Sequence, residues 1–292
     1  MFDLLVNPAP KHDESLSGYL HRLGDCNGLW NGEVIKLFKD LTDEQASKWL
    51  DEDIRPVSWK DVALEIRAPQ FNIQNVWSLI NIKYCPVCLA GGFYWRELWD
   101  LTLYTTCIVH NVNLVYKCPM CQEKSTLKLL TTKCCDKCQH PVFETLEPDR
   151  LVDEFRIWIS AELEKRLRHG RDKNLEGIDS LTYQQFNFLA IRLGVRVISL
   201  RCFMNMIVVS TVFRDVAPDL AVAAGEMFLG WPKTFHSLLT DLKRQRASSH
   251  PWKLGLAFGP IYNDVYLSLI DQCYDFIRSE FEKYVIRYWE GP

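Results

Sequence analysis

Apolar residues recur at three- and four-residue intervals along most of the chain. Near its start, Leu16, Tyr19 and Leu23 fall on one face of a helix, and Asp13 precedes them as a candidate N-cap. Further sets of this kind follow in the first quarter of the chain and return in its second half, in short segments separated by turns. The pattern predicts a mainly α-helical fold and lacks the strand–helix alternation of an α/β protein.

A cysteine-rich segment interrupts the helical pattern and divides the chain into parts. The predicted parts are a helix-turn-helix-type module over 1–83, tandem zinc-binding modules over 84–145, a connecting helix and linker over 146–180, and a second helix-turn-helix-type module over 181–292. The predicted fold class is therefore mainly α, with two helix-turn-helix-type modules flanking a tandem zinc-ribbon or zinc-finger region.

Eight of the eleven cysteines lie between residues 85 and 138, and most stand in Cys-x-x-Cys or Cys-x-x-His pairs. Structural zinc takes four such ligands, usually as two close pairs on tight turns. The predicted sets are Cys85, Cys88, Cys107 and His110 for the first site, and Cys118, Cys121, Cys135 and Cys138 for the second. The spacing thus predicts two structural Zn²⁺ ions per chain.

Neighbouring residues leave alternatives within these sets. Cys134 precedes Cys135, but only Cys135 stands two residues before Cys138, so Cys134 is interpreted as a bystander. His140 is a substitute ligand for the same site, and His110 could be a noncoordinating neighbour. The loop inside the first set is rich in aromatic residues, which we expect to form the core of that module; stacking on unpaired bases is the alternative.

Both predicted sites are closed, because each already has four protein ligands. A catalytic zinc keeps one position open for water or substrate. The sequence contains neither a phosphate-binding loop nor a His-Glu-x-x-His motif. We therefore expect a protein that is not an enzyme, with a metal-dependent nuclease or recombinase as an alternative.

Charge is distributed unevenly, although the net charge is only −3. Residues 1–83 hold nine Lys and Arg against thirteen Asp and Glu, whereas residues 183–253 hold nine against four. The acidic first module is expected to dock on protein. Contacts with DNA phosphates would come from the second helical module, where the candidates are Lys243, Arg244, Arg246 and Lys253.

The sequence also indicates where the protein acts. No apolar run is long enough to cross a membrane, and the first residues have neither the basic start nor the apolar core of a signal peptide. Free cysteines in such number are typical of a reducing compartment. A cytoplasmic location without membrane contact is therefore expected.

An ordered series of motifs resembles the TniQ family. It begins with the helical start P-x-x-D-E-S-L-S-G-Y-L-x-R-L at 10–23 and continues with Y-C-P-x-C at 84–88 and C-x-x-H-x-x-x-L at 107–114. The two Cys-x-x-Cys pairs of the second set follow in the expected order. The segment MFLGWPKTFHSLL at 227–239 also looks like the C-terminal helical module of that family.

The resemblance implies target-site selection for a bacterial Tn7-like or CRISPR-associated transposon. TniQ-like proteins do no chemistry: they recognise an attachment site directly or sit on a CRISPR effector complex, and they recruit a TnsC-like AAA+ ATPase regulator. By analogy, the two four-residue sets would each hold one zinc. The chain is shorter than the members that bind DNA directly and has no net positive charge. These two points favour an adaptor on an RNA-guided, Cascade-type complex, where it could act as a homodimer; direct, sequence-specific DNA binding is the alternative.

Overall fold

The computed structural model describes residues 4–50, 56, 58–67, 77, 82–142, 152–170, 175–202, 213–246 and 253–288. These ranges contain thirteen α-helices and one two-stranded sheet, which confirms the mainly α-helical class. The chain forms two compact units, Met1–Val152 and Asp153–Pro292, and the finer four-part division stays a prediction. None of the helices in the described ranges is long and apolar enough to cross a bilayer.

Four helices form the N-terminal part of the first unit: α1 (Leu16–Cys26), α2 (Asn31–Asp40), α3 (Asp43–Leu50) and α4 (Ser58–Arg67). The apolar faces of α1, α2 and α4 meet in one core, whose buried residues include Leu16, Leu20, Phe38 and Trp59. Trp59 also donates its Nε1–H to the carbonyl oxygen of Glu14 at 2.6 Å, so its one polar group is satisfied inside the core.

The start of α1 differs from the sequence prediction. The N-cap is Ser15, whose Oγ accepts a hydrogen bond from the Gly18 N–H at 2.9 Å. The prediction of Asp13 as the cap was therefore wrong. Its carboxylate is bound instead by Arg96 and Tyr94, which are distant in sequence, and helix periodicity carries no information about such contacts.

Short elements carry the cysteine-rich part of the first unit: α5 (Pro86–Gly91), β1 (Thr106–Cys107), β2 (Val112–Asn113) and α6 (Leu129–Thr132). The two strands pair antiparallel, with Thr106 opposite Asn113 and Cys107 opposite Val112. A 3-10 turn over Glu97–Asp100 lies in the loop between α5 and β1. Such small elements cannot bury a large core, which is the situation in which metal cross-links supply stability.

The second unit contains α7 (Glu154–His169), α8 (Tyr183–Cys202), α9 (Phe213–Leu229), α10 (Lys233–Arg246), α11 (Leu254–Phe258), α12 (Pro260–Asn263) and α13 (Asp275–Tyr288). Helix α9 packs against both α7 and α8. The approach to α7 is close because a Cβ at Gly225 would lie 2.6 Å from the Cβ of Phe155. The buried Asp264 carboxylate ties the segment after α12 to α8 through Arg192 at 3.0 Å and Arg196 at 2.5 Å.

Candidate metal centres

Cys85, Cys88, Cys107 and His110 come together in the first unit, with their ligand atoms all within 4.8 Å of one another. His110 Nδ1 lies 3.2 Å from Cys88 Sγ and 3.5 Å from Cys85 Sγ, and the Sγ atoms of Cys88 and Cys107 are 3.7 Å apart. Ligands about 2.0–2.3 Å from a shared tetrahedral ion are separated by about 3.3–3.8 Å. The group therefore has the spacing of a four-coordinate metal site.

Two local structures present these ligands. Cys85 is the N-cap of α5, followed by Pro86 in the first turn, and its Sγ accepts a hydrogen bond from the Cys88 N–H at 3.4 Å. A backbone N–H aimed at sulfur offsets thiolate charge. On the other side, Cys107 ends β1 and His110 lies in the turn between β1 and β2. The helix turn and the hairpin each supply two donors.

The second group consists of Cys118, Cys121, Cys135 and Cys138. The Sγ atoms of Cys118 and Cys138 are 3.6 Å apart, as are those of Cys121 and Cys135. Among the described residues, this group includes neither Cys134 nor His140. The backbone carbonyl of Cys134 accepts a hydrogen bond from Thr132, while its neighbour Cys135 belongs to the group.

Three of the four ligand pairs end in the same backbone conformation. Asn111, Gln122 and Gln139 each follow the second ligand of a pair, and their φ angles are 50°, 58° and 57°. The left-handed region is uncommon outside glycine, so its recurrence marks a tight turn that folds each pair around a common point. Sequence spacing identifies the candidate ligands but not this backbone conformation, because none of the three positions is glycine.

The donor chemistry fits zinc. Seven thiols and one imidazole nitrogen, in two sets of four, are soft donors in the number and arrangement that structural zinc takes. The two clusters could thus hold metal ions, each with all four positions supplied by the protein. Such a site cross-links two turns. Because the protein would fill all four coordination positions, none is left for a reacting water.

The aromatic loop between the ligand pairs of the first centre forms the core of that module, as predicted. Trp95, Trp99 and Tyr104 are almost completely buried. The rings of Trp95 and Trp99 meet edge to face at 5.1 Å, and Trp95 Nε1–H donates to Asp100 at 3.1 Å. Phe93 lies nearer the surface, with the Lys133 ammonium 5.0 Å from its ring centre.

The family comparison matches this same part of the chain. The TniQ family model covers residues 5–114, from the segment before α1 to the end of the hairpin that holds Cys107 and His110. Residues 5–114 form a TniQ domain. The resemblance inferred from the motifs is thereby confirmed, while a search of curated proteins found no match. The domain indicates a transposon-associated target-selection protein.

Polar contacts join the helices of the TniQ domain to its metal-binding loop. Arg96 Nη1 lies 2.5 Å from Asp13 Oδ2, and the Tyr94 hydroxyl donates to Asp13 Oδ1 at 2.6 Å. On α4, Ser58 Oγ donates to the Glu97 carboxylate at 2.6 Å. Burial and the hydrogen bond to Asp13 raise the pKa of Tyr94 to about 12, which keeps this hydroxyl a donor at neutral pH.

The TniQ motif at the start of α1 can now be explained in terms of contacts. Four of its residues cap α1 or contact the metal-binding loop: Asp13 binds Arg96, Ser15 caps α1, Ser17 donates to Asp100, and Gly18 allows the Trp95 backbone to approach. A fifth, Glu14, binds Arg22 within α1. The motif therefore specifies the surface at the start of α1 on which the metal-binding loop packs, which we call the docking edge. Many other sequences would have the apolar periodicity of a helix without these contacts.

Two buried charged groups lie behind this edge. Asp100 accepts hydrogen bonds from Ser17 Oγ at 3.0 Å and Trp95 Nε1 at 3.1 Å, yet burial raises its pKa to about 6. Lys83 Nζ donates to the carbonyl oxygens of Leu101 at 2.5 Å and Thr102 at 2.9 Å, and burial lowers its pKa to about 7. The TniQ domain thus holds a buried carboxyl group and a buried amine whose pKa values both lie near neutral pH.

The four predicted DNA contacts lie in the second unit. Lys243 Nζ donates to the Tyr288 carbonyl at 2.9 Å, and Arg244 pairs with Asp241 at 3.1 Å. Both basic residues line a groove of about 610 Å³ between α10 and α13. Lys253 is exposed before α11, and the Arg246 side chain lies outside the described part of the chain. Their contact with DNA stays a prediction.

Proposed function

We propose that this chain is a target-selection adaptor for a CRISPR-associated transposon. In this role it docks on an RNA-guided, Cascade-type effector complex and recruits a TnsC-like AAA+ ATPase regulator, with no chemical step of its own. The TniQ domain over 5–114 is the observation that carries the proposal. In this proposal the protein is located in the bacterial cytoplasm and functions as a homodimer.

The two metal centres are assigned a structural role in this proposal. Each would hold one Zn²⁺ through the four ligands already named, and zinc supplies a cross-link between two turns. The polar contacts of Asp13 and Ser58 would then fix the helices of the TniQ domain to a rigid loop. Rigid surfaces suit an adaptor, because less conformational entropy is lost when each partner binds.

Charge supports a protein partner for the first module. Residues 1–83 hold nine basic against thirteen acidic residues, which disfavours contact with DNA phosphates there. On α10, the Arg244 guanidinium already has Asp241 beside it, and Lys243 is bound at the end of α13. The Asp241 carboxylate offsets part of the charge that Arg244 could offer to DNA, and the hydrogen bond to Tyr288 holds the Lys243 ammonium against the chain.

A reconstitution experiment tests the proposal. The purified full chain, a crRNA-loaded Cascade-type complex and an AAA+ regulator from the same transposon are combined in pairs and together. The adaptor role requires that the chain binds the effector complex and that the regulator is retained only when the chain is present. Sedimentation of the chain alone measures whether it is a dimer.

The alternatives predict other results in the same material. Tight, site-selective binding of attachment-site duplex by the chain alone, at physiological salt, would replace the adaptor with a direct DNA-binding selector. Strand cleavage that requires Mg²⁺ or Mn²⁺ would instead indicate a nuclease or recombinase.

A further inference from the structure

The backbone of Tyr84 joins the two metal centres of the first unit. Tyr84 immediately precedes Cys85, the first ligand of the first centre. Its N–H donates to the Val115 carbonyl at 2.9 Å, and the Val115 N–H donates to the Tyr84 carbonyl at 2.8 Å. Val115 in turn lies three residues before Cys118, the first ligand of the second centre. The chain entering one ligand pair is therefore fixed to the chain entering another.

The side chain of Tyr84 belongs to the core of the second metal-binding module, by which we mean residues 116–142. The structure describes this whole segment, and apart from cysteines only three of its apolar side chains are buried: Leu127, Leu129 and Val142. Tyr84 is 1% exposed, is hydrogen-bonded to Ser125 and lines a small cavity of the module together with Leu129 and Val142. It thus supplies a large buried side chain that the module itself lacks.

The same ring also belongs to the first metal-binding module. Its centre lies 6.1 Å from that of Trp95, which is part of the aromatic core between the ligand pairs of the first centre. Two further contacts join the second module to the TniQ domain. His21 Nε2 lies 3.3 Å from Thr131 Oγ1, and Lys133 Nζ lies 5.0 Å from the centre of the Phe93 ring. The family match ends at residue 114, but the packing continues beyond it.

We infer that the two metal centres are coupled through Tyr84, so that metal bound at either centre strengthens binding at the other. Binding of a structural metal orders the small module around it. An ordered second module holds Tyr84 in its core and so restricts Cys85, which then loses less conformational entropy when the first centre binds its ion. Linkage makes the effect reciprocal. The inference rests on the metal occupancy proposed above and not on the adaptor role.

Competition between the zinc-loaded full chain and a chelator of known affinity tests the coupling. The variant C138S retains the first centre alone, and C107S retains the second alone. For independent centres, the product of the two single-site dissociation constants would equal the product measured for the natural chain. We call the quotient of these products the coupling ratio. We expect the natural product to be the smaller one, with a coupling ratio of about 5 to 150.

Substitutions of two tyrosines show whether Tyr84 carries the effect. Y84A, combined with each ligand variant, should lower the coupling ratio to about 1. The matched control Y94A removes the same side chain from the loop of the first centre, where the Tyr94 hydroxyl binds Asp13, and should leave the ratio unchanged. Y84F keeps the buried ring and loses the hydrogen bond to Ser125, so it should fold like the natural chain and give an intermediate ratio.

Three results would overturn the inference: a coupling ratio near 1 in the natural chain, an unchanged ratio in Y84A, or an equal loss in Y84A and Y94A. The first of these needs no change at Tyr84, so it decides the question even where Y84A does not fold. Elemental analysis separates this inference from the metal assignment. A chain that holds two ions with a coupling ratio near 1 refutes the coupling alone, whereas a chain without metal refutes the centres themselves.

Discussion

Arg96 lies 2.5 Å from Asp13 although 83 residues separate them in sequence. The pair joins the segment before α1 to the loop between the two ligand pairs of the first metal centre. Backbone hydrogen bonds join the same two segments: Ser15 N–H donates to the Trp95 carbonyl at 2.8 Å, and Glu97 N–H donates to the Asp13 carbonyl at 2.9 Å. The helices of the TniQ domain and its first metal centre are therefore parts of one packed structure.

The closeness of α1 to this loop predicts opposite effects at two glycines. A Cβ at Gly18 would overlap the Trp95 Cβ, whereas a Cβ at Gly32 on α2 would meet nothing within 4 Å. Gly18→Ala should therefore destabilise the first unit by about 1–3 kcal/mol or more. Gly32→Ala should stabilise α2, by up to about 1 kcal/mol, because alanine favours the helix. Urea unfolding of both variants provides the comparison, and equal midpoints would contradict the close packing of α1 on Trp95.

Sequence spacing predicts what depends on local periodicity or on chemistry that needs fixed partners. The apolar face of α1 and the eight candidate ligands could be identified because helices repeat every 3.6 residues and zinc takes four donors. The contacts of Asp13 and the left-handed turn at Asn111 could not, since both arise from tertiary structure. The buried Asp264 was missed for the same reason, because its two arginine partners lie about 70 residues earlier.

Neighbouring cysteines should differ in metal binding. Cys135→Ser removes a donor from the second group and should lower the metal content from about two ions per chain to about one. Cys134→Ser changes a neighbour outside that group and should retain both ions. Elemental analysis of protein purified without chelator measures the difference. If the Cys134 variant lost one ion and Cys135→Ser kept two, Cys134 would be the ligand and Cys135 the bystander.

The second unit should depend strongly on one carboxylate. Asp264 is buried and binds Arg192 and Arg196, so Asp264→Ala leaves two guanidinium groups without their shared partner. We expect a loss of about 3 kcal/mol in the unfolding free energy of this unit. Asp241→Ala breaks an exposed pair with Arg244 and should change it by less than about 0.5 kcal/mol. Hydrogen exchange of α8 would report both, and similar protection in the two variants would refute the anchoring role of Asp264.

Asp100 should make the first unit less stable as the pH rises. Burial raises the pKa of its folded-state carboxyl from 3.8 to about 6, so the folded protein holds a proton that the unfolded chain has already released. The stabilisation that this proton provides is complete below the unfolded pKa and is lost as the pH rises through the folded one. The substitution Asp100→Asn introduces a side chain that is neutral throughout, while its amide can still accept a hydrogen bond from Trp95 and donate one to Ser17.

The difference between the natural chain and Asp100→Asn therefore cancels the titration of the metal ligands, which both proteins share, and reports Asp100 together with its electrostatic effect on Lys83. From about pH 5 to about pH 7.5, the unfolding free energy of the natural chain should fall relative to that of the variant. Urea unfolding at matched pH values measures the two curves. Parallel curves would show that the buried carboxylate is ionised across this range, in which case the hydrogen bonds from Ser17 and Trp95 outweigh the effect of burial.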